Sequence, residues 1–549
     1  MSDFPGQGAA PADPARLSAL AAHLNARRFD EALRASESLL AEGVVHPLPM
    51  RVVAAARRQS GQFAEAIALY GRLTELSPGE PQAWAALAEG LAAARRPEDA
   101  ISAWDRALAL SPDDAGLLCG KAGVLQSLSL LDGAQALFEK VLAAEPGRVE
   151  ATFGLAVIAL DQGDLERANA LTAGLLVARR DWPAALWLAA RVAHARGETA
   201  AVIERTSAVI ARTDISPEQR ADALLLQSLA LDDADRTAES FAAAAGGKTI
   251  QHKLYAERAA GREAETAKMK RLAAWFEAAD PAPWRTAPAE VVMSGSAQTH
   301  VFLLGFPRSG TTLLEQALAG HPQVLTLEEA PTLAEPYAAF LSTPEGLARL
   351  STLSEAEARI WRSRYWSEVT ARGVVASGKV FVDKAPAGTL YLPLVAKLFP
   401  NAKILFAVRD PRDVVLSCFR NNFQLNAMTY AFTDLGEAAA CYAACMAMAE
   451  VYRRVLPLDL REVRHEALVE NFDAGLAGVA DFLGIEVTPQ MADIAATSAR
   501  RTVRTPSAVQ VREGLNTRGL ARWRAYESEL APVLPVLERW VARWGYSPE

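Results

Sequence analysis

The N-terminal half of this 549-residue chain repeats every 34 residues, and this period restricts its fold more than any other feature. The segments "DEALRAS", "AEAIALY", "EDAISAW", "DGAQALF" and "ERANALT" share one alanine, at Ala32, Ala66, Ala100, Ala134 and Ala168. The same spacing separates the prolines Pro78, Pro112 and Pro146 and the aromatic residues Tyr70, Trp104 and Phe138. A small alanine lets two helices approach closely, an aromatic ring fills the space between repeats, and a proline ends the second helix. The period therefore predicts a series of helical hairpins.

This pattern resembles the tetratricopeptide repeat family over residues 15–250. The resemblance loosens after Trp182, and "ETAAVIERTSAVIARTDISPEQ" is interpreted as a degenerate repeat. Arrays of this kind form superhelices whose concave face binds peptides or partner proteins. The alternative is that the repeats are a structural extension or a dimerisation arm.

The chain is too long for a single core, so two or three domains are expected. We predict a disordered leader at 1–14, helical repeats at 15–250, a helical connector and linker at 251–293, and a second domain at 294–549. The N-terminus lacks the features of a signal peptide, and no apolar run is long enough to span a membrane. A cytoplasmic location is expected, with four cysteines as reduced, buried thiols (Cys119, Cys418, Cys441 and Cys445). The alanine- and arginine-rich composition suggests a bacterial source.

Basic residues in the second half of the chain are mostly arginine. Residues 295–549 contain 26 Lys and Arg, of which 22 are Arg, against 27 Asp and Glu. Arginine binds planar and tetrahedral oxyanions through two parallel hydrogen bonds. Because the chain as a whole has a net charge of −8 and no basic stripe, bulk nucleic-acid binding is not expected.

The stretch "VFLLGFPRSGTTLLEQALAGHP", from Val301 to Pro322, is typical of a strand, a glycine-containing turn and a helix. The amino end of such a helix binds a phosphate group, because its free N–H groups and its dipole point at the turn. Backbone amides around Gly310 and the hydroxyls of Ser309, Thr311 and Thr312 would surround the anion, and Arg308 would contact the reacting group. Thr311 stands where a nucleotide hydrolase carries its lysine.

Charged or polar side chains follow four later apolar segments. They are Glu328 and Glu329 after "QVLTL", Lys384 in "KVFVDKAP", Arg409 in "AKILFAVRDPRDVVLSCF" with Ser417 on the helix behind it, and His465 in "LREVRHEALVENF". Ligands bind beyond the carboxyl ends of the strands in doubly wound α/β sheets. We therefore predict a central parallel sheet with Arg308, Glu329, Lys384 and Arg409 along one edge, so that the fold class is an α-solenoid followed by a P-loop-like α/β domain.

The absence of the loop lysine bears on the chemistry of the site. A kinase must neutralise a triphosphate with Mg²⁺, and no apolar strand ends in a convincing metal-binding aspartate, Asp410 and Asp383 being the nearest candidates. A sulfuryl group carries about one negative charge less than a phosphoryl group, so arginine and lysine alone could stabilise its transfer. The loop therefore suits a phosphosulfate better than a triphosphate.

"PRSGTT" after a strand and "VRDPRDVVLS" further along resemble the sulfotransferases that use 3′-phosphoadenosine 5′-phosphosulfate (PAPS), over residues 299–545. The resemblance implies that residues 307–312 bind the 5′-phosphosulfate and that Arg409 and Ser417 bind the 3′-phosphate. The "HP" and "EE" pairs are similar to the protein-tyrosine sulfotransferase branch. That likeness implies Glu329 as general base, Lys384 and Arg308 as catalytic cations, Ser507 and, from other branches, Arg512 as further cofactor contacts, adenosine 3′,5′-bisphosphate (PAP) as product, and no metal.

The chain departs from that branch at two positions. Asn421 replaces an arginine, with Arg420 one residue earlier, and His465 replaces a tyrosine on the adenine side.

Several side chains also have interpretations that involve no catalysis. Because alternate residues of a strand face opposite sides, only one of Glu328 and Glu329 is expected to face the site. Lys384 could instead pair with Asp383 or Asp410. His321 is interpreted as a hydrogen-bonding residue at a helix end, and Asp410 and Arg412 as a helix cap and ion pair.

Three hypotheses remain open at this point. The first is a PAPS-dependent sulfotransferase whose repeats recruit a protein acceptor, with tyrosine as one acceptor. The second is a sulfotransferase of small molecules or glycans that uses its repeats for assembly, with a dimer as one arrangement. The third is a nucleotide-binding scaffold without transferase activity, or a P-loop kinase. Under the first hypothesis, removal of residues 1–250 should spare PAP binding and abolish transfer to the native acceptor.

Overall fold

The computed structural model describes residues 13–499, 514–515 and 517–547, apart from positions 95, 129, 291, 292 and 294. By its contacts the chain divides into two compact units, Met1–Val192 and Ala193–Glu549. In the parts of the chain that are described, no helix has both the length and the apolar character to cross a membrane.

The N-terminal half consists of consecutive helices that pack in pairs, as the 34-residue period predicts. They are α1 Pro14–Asn25, α2 Phe29–Ala41, α3 Pro47–Gln59, α4 Phe63–Leu76, α5 Pro81–Ala93, α6 Pro97–Leu110, α7 Ala115–Ser127, α8 Leu131–Ala144, α9 Val149–Gln162, α10 Leu165–Ala178 and α11 Pro183–Ala195. The five repeated alanines are completely buried. The three repeated prolines each lie two residues beyond a helix end, at Leu76, Leu110 and Ala144.

The repeated aromatic residues lie against glycines of the following helices. A Cβ atom added at Gly120 would lie 2.3 Å from the ring of Trp104, and one added at Gly154 would lie 2.3 Å from Phe138. Gly90 is similarly close to Tyr70, at 2.9 Å. The rings therefore fill the core between successive hairpins, and glycine makes the space for them.

The second unit begins within α11 and continues the helical pattern before the sheet starts. Its next helices are α12 Thr199–Ile210, α13 Pro217–Asp233, α14 Thr237–Ala259 and α15 Glu265–Ala278. Met269, Leu272 and Phe276 of α15 are buried in the core that covers one face of the sheet. By contacts, residues 193–293 thus group with the sheet, whereas the sequence pattern ends the repeats at residue 250 and begins the second domain at residue 294.

A five-stranded parallel sheet, in the order β2-β3-β1-β4-β5, forms the centre of the second unit. The strands are β1 Thr299–Leu304, β2 Val324–Glu328, β3 Val380–Lys384, β4 Lys403–Val408 and β5 Asp459–Arg464. The helices are α16 Thr311–Ala319, α17 Ala334–Phe340, α18 Pro344–Ser351, α19 Glu355–Ala371, α20 Leu392–Leu398, α21 Pro411–Arg420, α22 Ala427–Ala431, α23 Leu435–Val455, α24 His465–Glu470, α25 Phe472–Leu483, α26 Ile494–Ala499, α27 Glu527–Leu530 and α28 Leu534–Arg543. Short 3₁₀ turns lie at Ala282–Arg285, Pro386–Tyr391, Pro489–Ala492 and Arg522–Tyr526.

Both faces of the sheet are covered, which explains the continuous apolar runs of the central strands. Phe302 and Leu304 of β1 pack into one core, and Val301 and Leu303 pack into the other. The parallel sheet and the helical repeats confirm the predicted fold class. Cys418, Cys441 and Cys445 are buried as predicted, while Cys119 is only partly buried.

Candidate active site

The first strand ends at the point where the strand order reverses. From β1 the chain proceeds to β2 on one side of the sheet, whereas β4 leads to β5 on the other side. The loop 305–310, which the sequence predicts to bind phosphate (the phosphate loop), lies at this reversal. It packs closely on β4, since a Cβ atom at Gly305 would lie 2.6 Å from the carbonyl oxygen of Ala407. Such crevices are where open α/β sheets bind ligands. Gly310, at φ 91°, then starts α16 with its amino end towards the loop.

Arg308 connects this loop to the helix that follows β4. Its Nε donates to the Ser417 hydroxyl oxygen at 2.9 Å, and Nη1 of Arg409 donates to the carbonyl oxygen of Arg308 at 3.1 Å. Burial and the neighbouring charge of Arg409 lower the pKa of Arg308 to about 10, so its guanidinium stays charged at neutral pH. Arg308, Arg409 and Ser417, three residues assigned by resemblance, therefore lie together.

A cavity of about 600 Å³ opens beside this cluster. Pockets of this size hold small-molecule ligands. Its lining includes Gly310, Thr312, His465 and Asn421, together with five arginines, Arg308, Arg409, Arg420, Arg518 and Arg522. Ser309 and Thr311 are buried and are not among the described residues that line it.

His465 lies directly against the phosphate loop, and a Cβ atom at Gly310 would lie 2.4 Å from its Nδ1 atom. Burial and the charges of Arg409 and Arg308 lower the pKa of His465 to about 3, so the ring is neutral. Buried polar atoms at the cavity, Nε of Arg409 and Nδ1 of His465, have no hydrogen-bond partner among the described residues. Arginine side chains next to a helix amino end can bind phosphate groups, and the cavity also contains four aspartates, Asp232, Asp233, Asp235 and Asp413.

A second cluster surrounds the buried ammonium group of Lys384 at the end of β3. Its Nζ lies 2.8 Å from Glu329, 3.1 Å from Glu328 and 3.5 Å from Glu315. Burial by itself would lower the pKa of Lys384, but the three carboxylates outweigh it and the pKa is raised. The lysine is therefore charged, and it holds Glu329, whose side chain is 48% exposed, at the surface of the site.

The expectation that only one of the two adjacent glutamates faces the site is wrong. Glu328 is the last residue of β2, and Glu329 has a left-handed backbone, at φ 48°. The strand alternation therefore stops at Glu328, and both carboxylates contact Lys384. A backbone hydrogen bond from Glu329 N–H to the Lys384 carbonyl oxygen, at 2.8 Å, holds this turn against β3.

Most of the non-catalytic interpretations agree with the contacts. His321 follows the end of α16 at Ala319, and its Nδ1 accepts from the Gln323 amide at 3.1 Å. Asp410 accepts from the Arg412 amide at 2.9 Å and pairs with its guanidinium at 2.8 Å. The suggested partners of Lys384 are wrong, because Asp410 binds Arg412 and Asp383 is bonded elsewhere.

Asp383 faces away from Lys384, into the aromatic core. It accepts from the hydroxyls of Tyr365 at 2.7 Å and Thr332 at 2.8 Å. Burial raises the pKa of Asp383 to about 6. Ser507 and Arg512, assigned by resemblance, lie outside the described residues. Within the described part of the chain, no group of three or more His, Cys, Asp or Glu could hold a metal ion.

Sequence reasoning missed two groups of residues at the site. Glu315 on α16 is buried beside Lys384 and accepts from the Thr326 hydroxyl at 2.9 Å. The presence of a charged residue in the apolar stretch "LLEQALA" could have indicated a buried carboxylate. The acidic end of α13 also lines the cavity, where Asp232 pairs with Arg420 at 2.8 Å and with Arg522 at 2.9 Å. No sequence pattern connects these distant positions.

Two known families match different parts of the chain. Residues 300–489 match a family model described as the sulfotransferase family. Residues 57–122 and 130–201 match the tetratricopeptide repeat. The chain thus joins tetratricopeptide repeats to a domain of the sulfotransferase family.

Curated relatives are similar at low identity. An uncharacterised protein of Aquifex aeolicus is 28% identical over 246 residues, 43% of this chain and 32% of the relative, so the chain spans about a third of its length. Protein-tyrosine sulfotransferase 2 of Gallus gallus is 26% identical over 274 residues, 45% of this chain and 69% of that protein. Among solved structures, one match is a tetratricopeptide repeat protein from Parabacteroides merdae. The match covers 43% of this chain and 92% of that protein's chain, at 13% identity and a TM-score of 0.36.

Proposed function

We propose that the protein transfers a sulfuryl group from PAPS to an acceptor hydroxyl, with a tyrosine of a protein as the first acceptor to test. The observation that carries this proposal is the hydrogen-bonded cluster of Arg308, Ser417 and Arg409 beside a nucleotide-sized cavity. The sulfotransferase family match and the relative named protein-tyrosine sulfotransferase support the donor and the acceptor class.

Two parts of the cavity would hold the two ends of the donor. The start of α16, with Gly310 and Thr312, would bind the 5′-phosphosulfate through backbone amides and the hydroxyl group. Arg409 and Ser417 would bind the 3′-phosphate. PAPS supplies a sulfuryl group whose bond to the 5′-phosphate oxygen breaks as the bond to the acceptor oxygen forms.

The remaining residues would act on the acceptor and on the developing charge. Glu329, exposed at the edge of the site, would take the proton of the acceptor hydroxyl. Lys384 would keep that carboxylate in place, and Arg308 would stabilise negative charge on the oxygens around sulfur. This chemistry uses cationic side chains of the chain itself where a kinase uses Mg²⁺.

Thermal unfolding with PAP, ADP, ATP and ATP plus Mg²⁺ tests the donor site. A ligand that binds the native state raises the Tm according to its concentration relative to Kd. We expect a clear shift with PAP, little with ADP and no requirement for Mg²⁺. A shift with ATP plus Mg²⁺ and none with PAP would replace the proposal with a kinase or a nucleotide-binding scaffold.

The acceptor requires a separate measurement. Transfer of ³⁵S from labelled PAPS to tyrosine-containing peptides, compared with the same peptides carrying phenylalanine, tests the aromatic hydroxyl. Label on both peptides, or on neither while small phenols or sugars accept it, would contradict a protein tyrosine as acceptor.

A further inference from the structure

The helical hairpin α13–α14 reaches the segment that ends α21, where Ser417 and Asn421 lie. Lys248 of α14 is 1% exposed, and its Nζ donates to the carbonyl oxygen of Asn421 at 2.8 Å. The same ammonium lies 5.8 Å from the ring centre of Phe423. These contacts all lie within the unit that contains the sheet.

Two further hydrogen bonds hold the next residue of the segment. Gln251 of α14 donates to Asn422 at 2.8 Å, and Asn422 donates in turn to Asp222 of α13 at 2.7 Å. Both helices of the hairpin therefore hold residues 421–422 from one side.

The side chain of Asn421 connects these contacts to the proposed donor site. Its side-chain amide donates to the Ser417 carbonyl oxygen at 2.8 Å and to the Ser417 hydroxyl oxygen at 3.2 Å. The Ser417 hydroxyl oxygen also accepts from Arg308. A continuous series of hydrogen bonds thus runs from Lys248 through Asn421 and Ser417 to the phosphate loop.

Burial of the Lys248 ammonium is costly, because one carbonyl oxygen and one aromatic ring replace its hydration. Consistent with this cost, burial lowers the pKa of Lys248 to about 8. The cost of desolvation offsets part of what this hydrogen bond contributes to stability. The geometry of the Lys248 contacts accounts for the placement of Asn421.

We infer that Lys248 is a positioning residue of the donor site, which acts through Asn421 and Ser417 on recognition of the 3′-phosphate. This inference rests on the proposed function. It also changes one expectation from the sequence: because α14 supplies Lys248, removal of residues 1–250 would damage PAP binding and not spare it.

The diagnostic quantity is the affinity ratio between PAP and AMP, which lacks the 3′-phosphate. Both affinities are measured by isothermal titration on the full chain, well below the Tm. For Lys248→Met, the loss of a hydrogen bond from a charged donor should weaken PAP about ten-fold. AMP affinity should change less than about two-fold, since AMP lacks the 3′-phosphate that Ser417 is proposed to bind.

Lys397 provides a matched control. It is 2% exposed, burial lowers its pKa to about 8, and its Nζ donates to backbone carbonyl oxygens, among them Thr286 at 2.6 Å and Ser351 at 2.7 Å. Lys397→Met should lower the Tm and leave the PAP-to-AMP ratio unchanged. Lys248→Arg, which keeps charge and donors, should retain the ratio within about three-fold.

The possible outcomes distinguish a failure of the inference about Lys248 from a failure of the proposed function. If the wild-type chain fails to bind PAP, the proposed function is wrong. If the wild type binds PAP and Lys248→Met leaves the ratio unchanged, or weakens both ligands equally, Lys248 is only structural and the inference is overturned. Should Lys248→Met not fold, Lys248→Gln removes the charge with less change in polarity, and the same ratio decides.

Discussion

Two residues of the candidate site, Arg308 and Glu329, adopt left-handed backbone conformations at φ 71° and 48°. Such conformations are unfavourable for residues with a Cβ atom and persist where the surrounding structure enforces them. Arg308 is held by Ser417 and Arg409, and Glu329 by the carbonyl oxygen and ammonium of Lys384. In both cases the backbone turns the side chain towards the site.

At the residue scale, the role of Glu329 can be tested directly. Glu329→Gln should lower turnover about 10²–10⁴-fold, because the amide cannot accept the acceptor's proton. PAP affinity should stay within a few-fold, since Glu329 contacts Lys384 and not the phosphate loop. Steady-state transfer of ³⁵S with saturating PAPS measures the effect.

Two other glutamates serve as comparisons for this substitution. Glu328→Gln also removes a carboxylate from Lys384, and it should reduce turnover much less. Glu335→Gln, at an exposed residue paired with Arg364, should have no effect. Near-normal turnover of Glu329→Gln would exclude it as the base.

Asp383 predicts a dependence of stability on pH. Its pKa rises from an ordinary 3.8 to about 6 in the folded chain, so the folded state loses stability as the pH rises through this interval. Asp383→Asn cannot ionise and avoids this loss. The stability of the variant relative to wild type should therefore improve between pH 4 and pH 7, by on the order of 3 kcal/mol. Urea unfolding at several pH values measures it, and a difference that is independent of pH would contradict the assignment.

At the scale of elements, helix contacts in the repeats depend on which glycines face an aromatic ring. Gly154 of α9 has the Phe138 ring at 2.3 Å from an added Cβ, whereas Gly123 of α7 has nothing within 4 Å. Gly154→Ala should destabilise the chain by about 1–3 kcal/mol through overpacking. Gly123→Ala should stabilise it by up to about 1 kcal/mol, because alanine favours helix. Denaturant midpoints compare the two, and equal effects would contradict the packing described.

Two glycines also allow the elements of the candidate site to pack closely against each other. Gly305 allows the loop after β1 to contact β4, and Gly310 allows α16 to begin against His465. Neither position tolerates a side chain without displacing its neighbour. The phosphate loop is therefore positioned by backbone packing against β4 and α24.

At the scale of the whole molecule, the division of the chain at Val192 suggests a comparison of two shortened chains. A chain that begins at Ala193 retains α13, α14 and the cavity lining, so it should bind PAP with near wild-type affinity. A chain that begins at Gln251 lacks Asp232 and Lys248 and should bind PAP at least ten-fold more weakly.

The same pair of truncations tests recruitment by the repeats. If the repeats select the acceptor, the chain from Ala193 should bind PAP and transfer poorly to the native acceptor, while small phenols still accept. Circular dichroism establishes that each chain is folded before titration. Unchanged transfer to the native acceptor would reduce residues 1–192 to a structural role.

The sequence alone determined the parts of this protein that depend on local pattern. The 34-residue period specified the helical hairpins, because small and large residues must alternate at fixed positions for helices to pack. Apolar runs that end in charged residues identified the parallel strands and several residues of the candidate site, since the carboxyl ends of parallel strands share one edge. Arg308, Lys384 and Arg409 were placed together in this way, whereas Ser417 was assigned by resemblance to the sulfotransferase family.

Only the tertiary structure decided which side chains meet across long separations. Glu315 joins Lys384 because α16 packs beside β2 and β3, and Glu329 joins it because its backbone leaves the strand in a left-handed turn. Asp232 lines the cavity and Lys248 contacts Asn421, a residue of its lining, and both come from helices that precede the sheet by many residues. Periodicity reports the face on which a residue lies, but the partner it meets there depends on how separate elements pack.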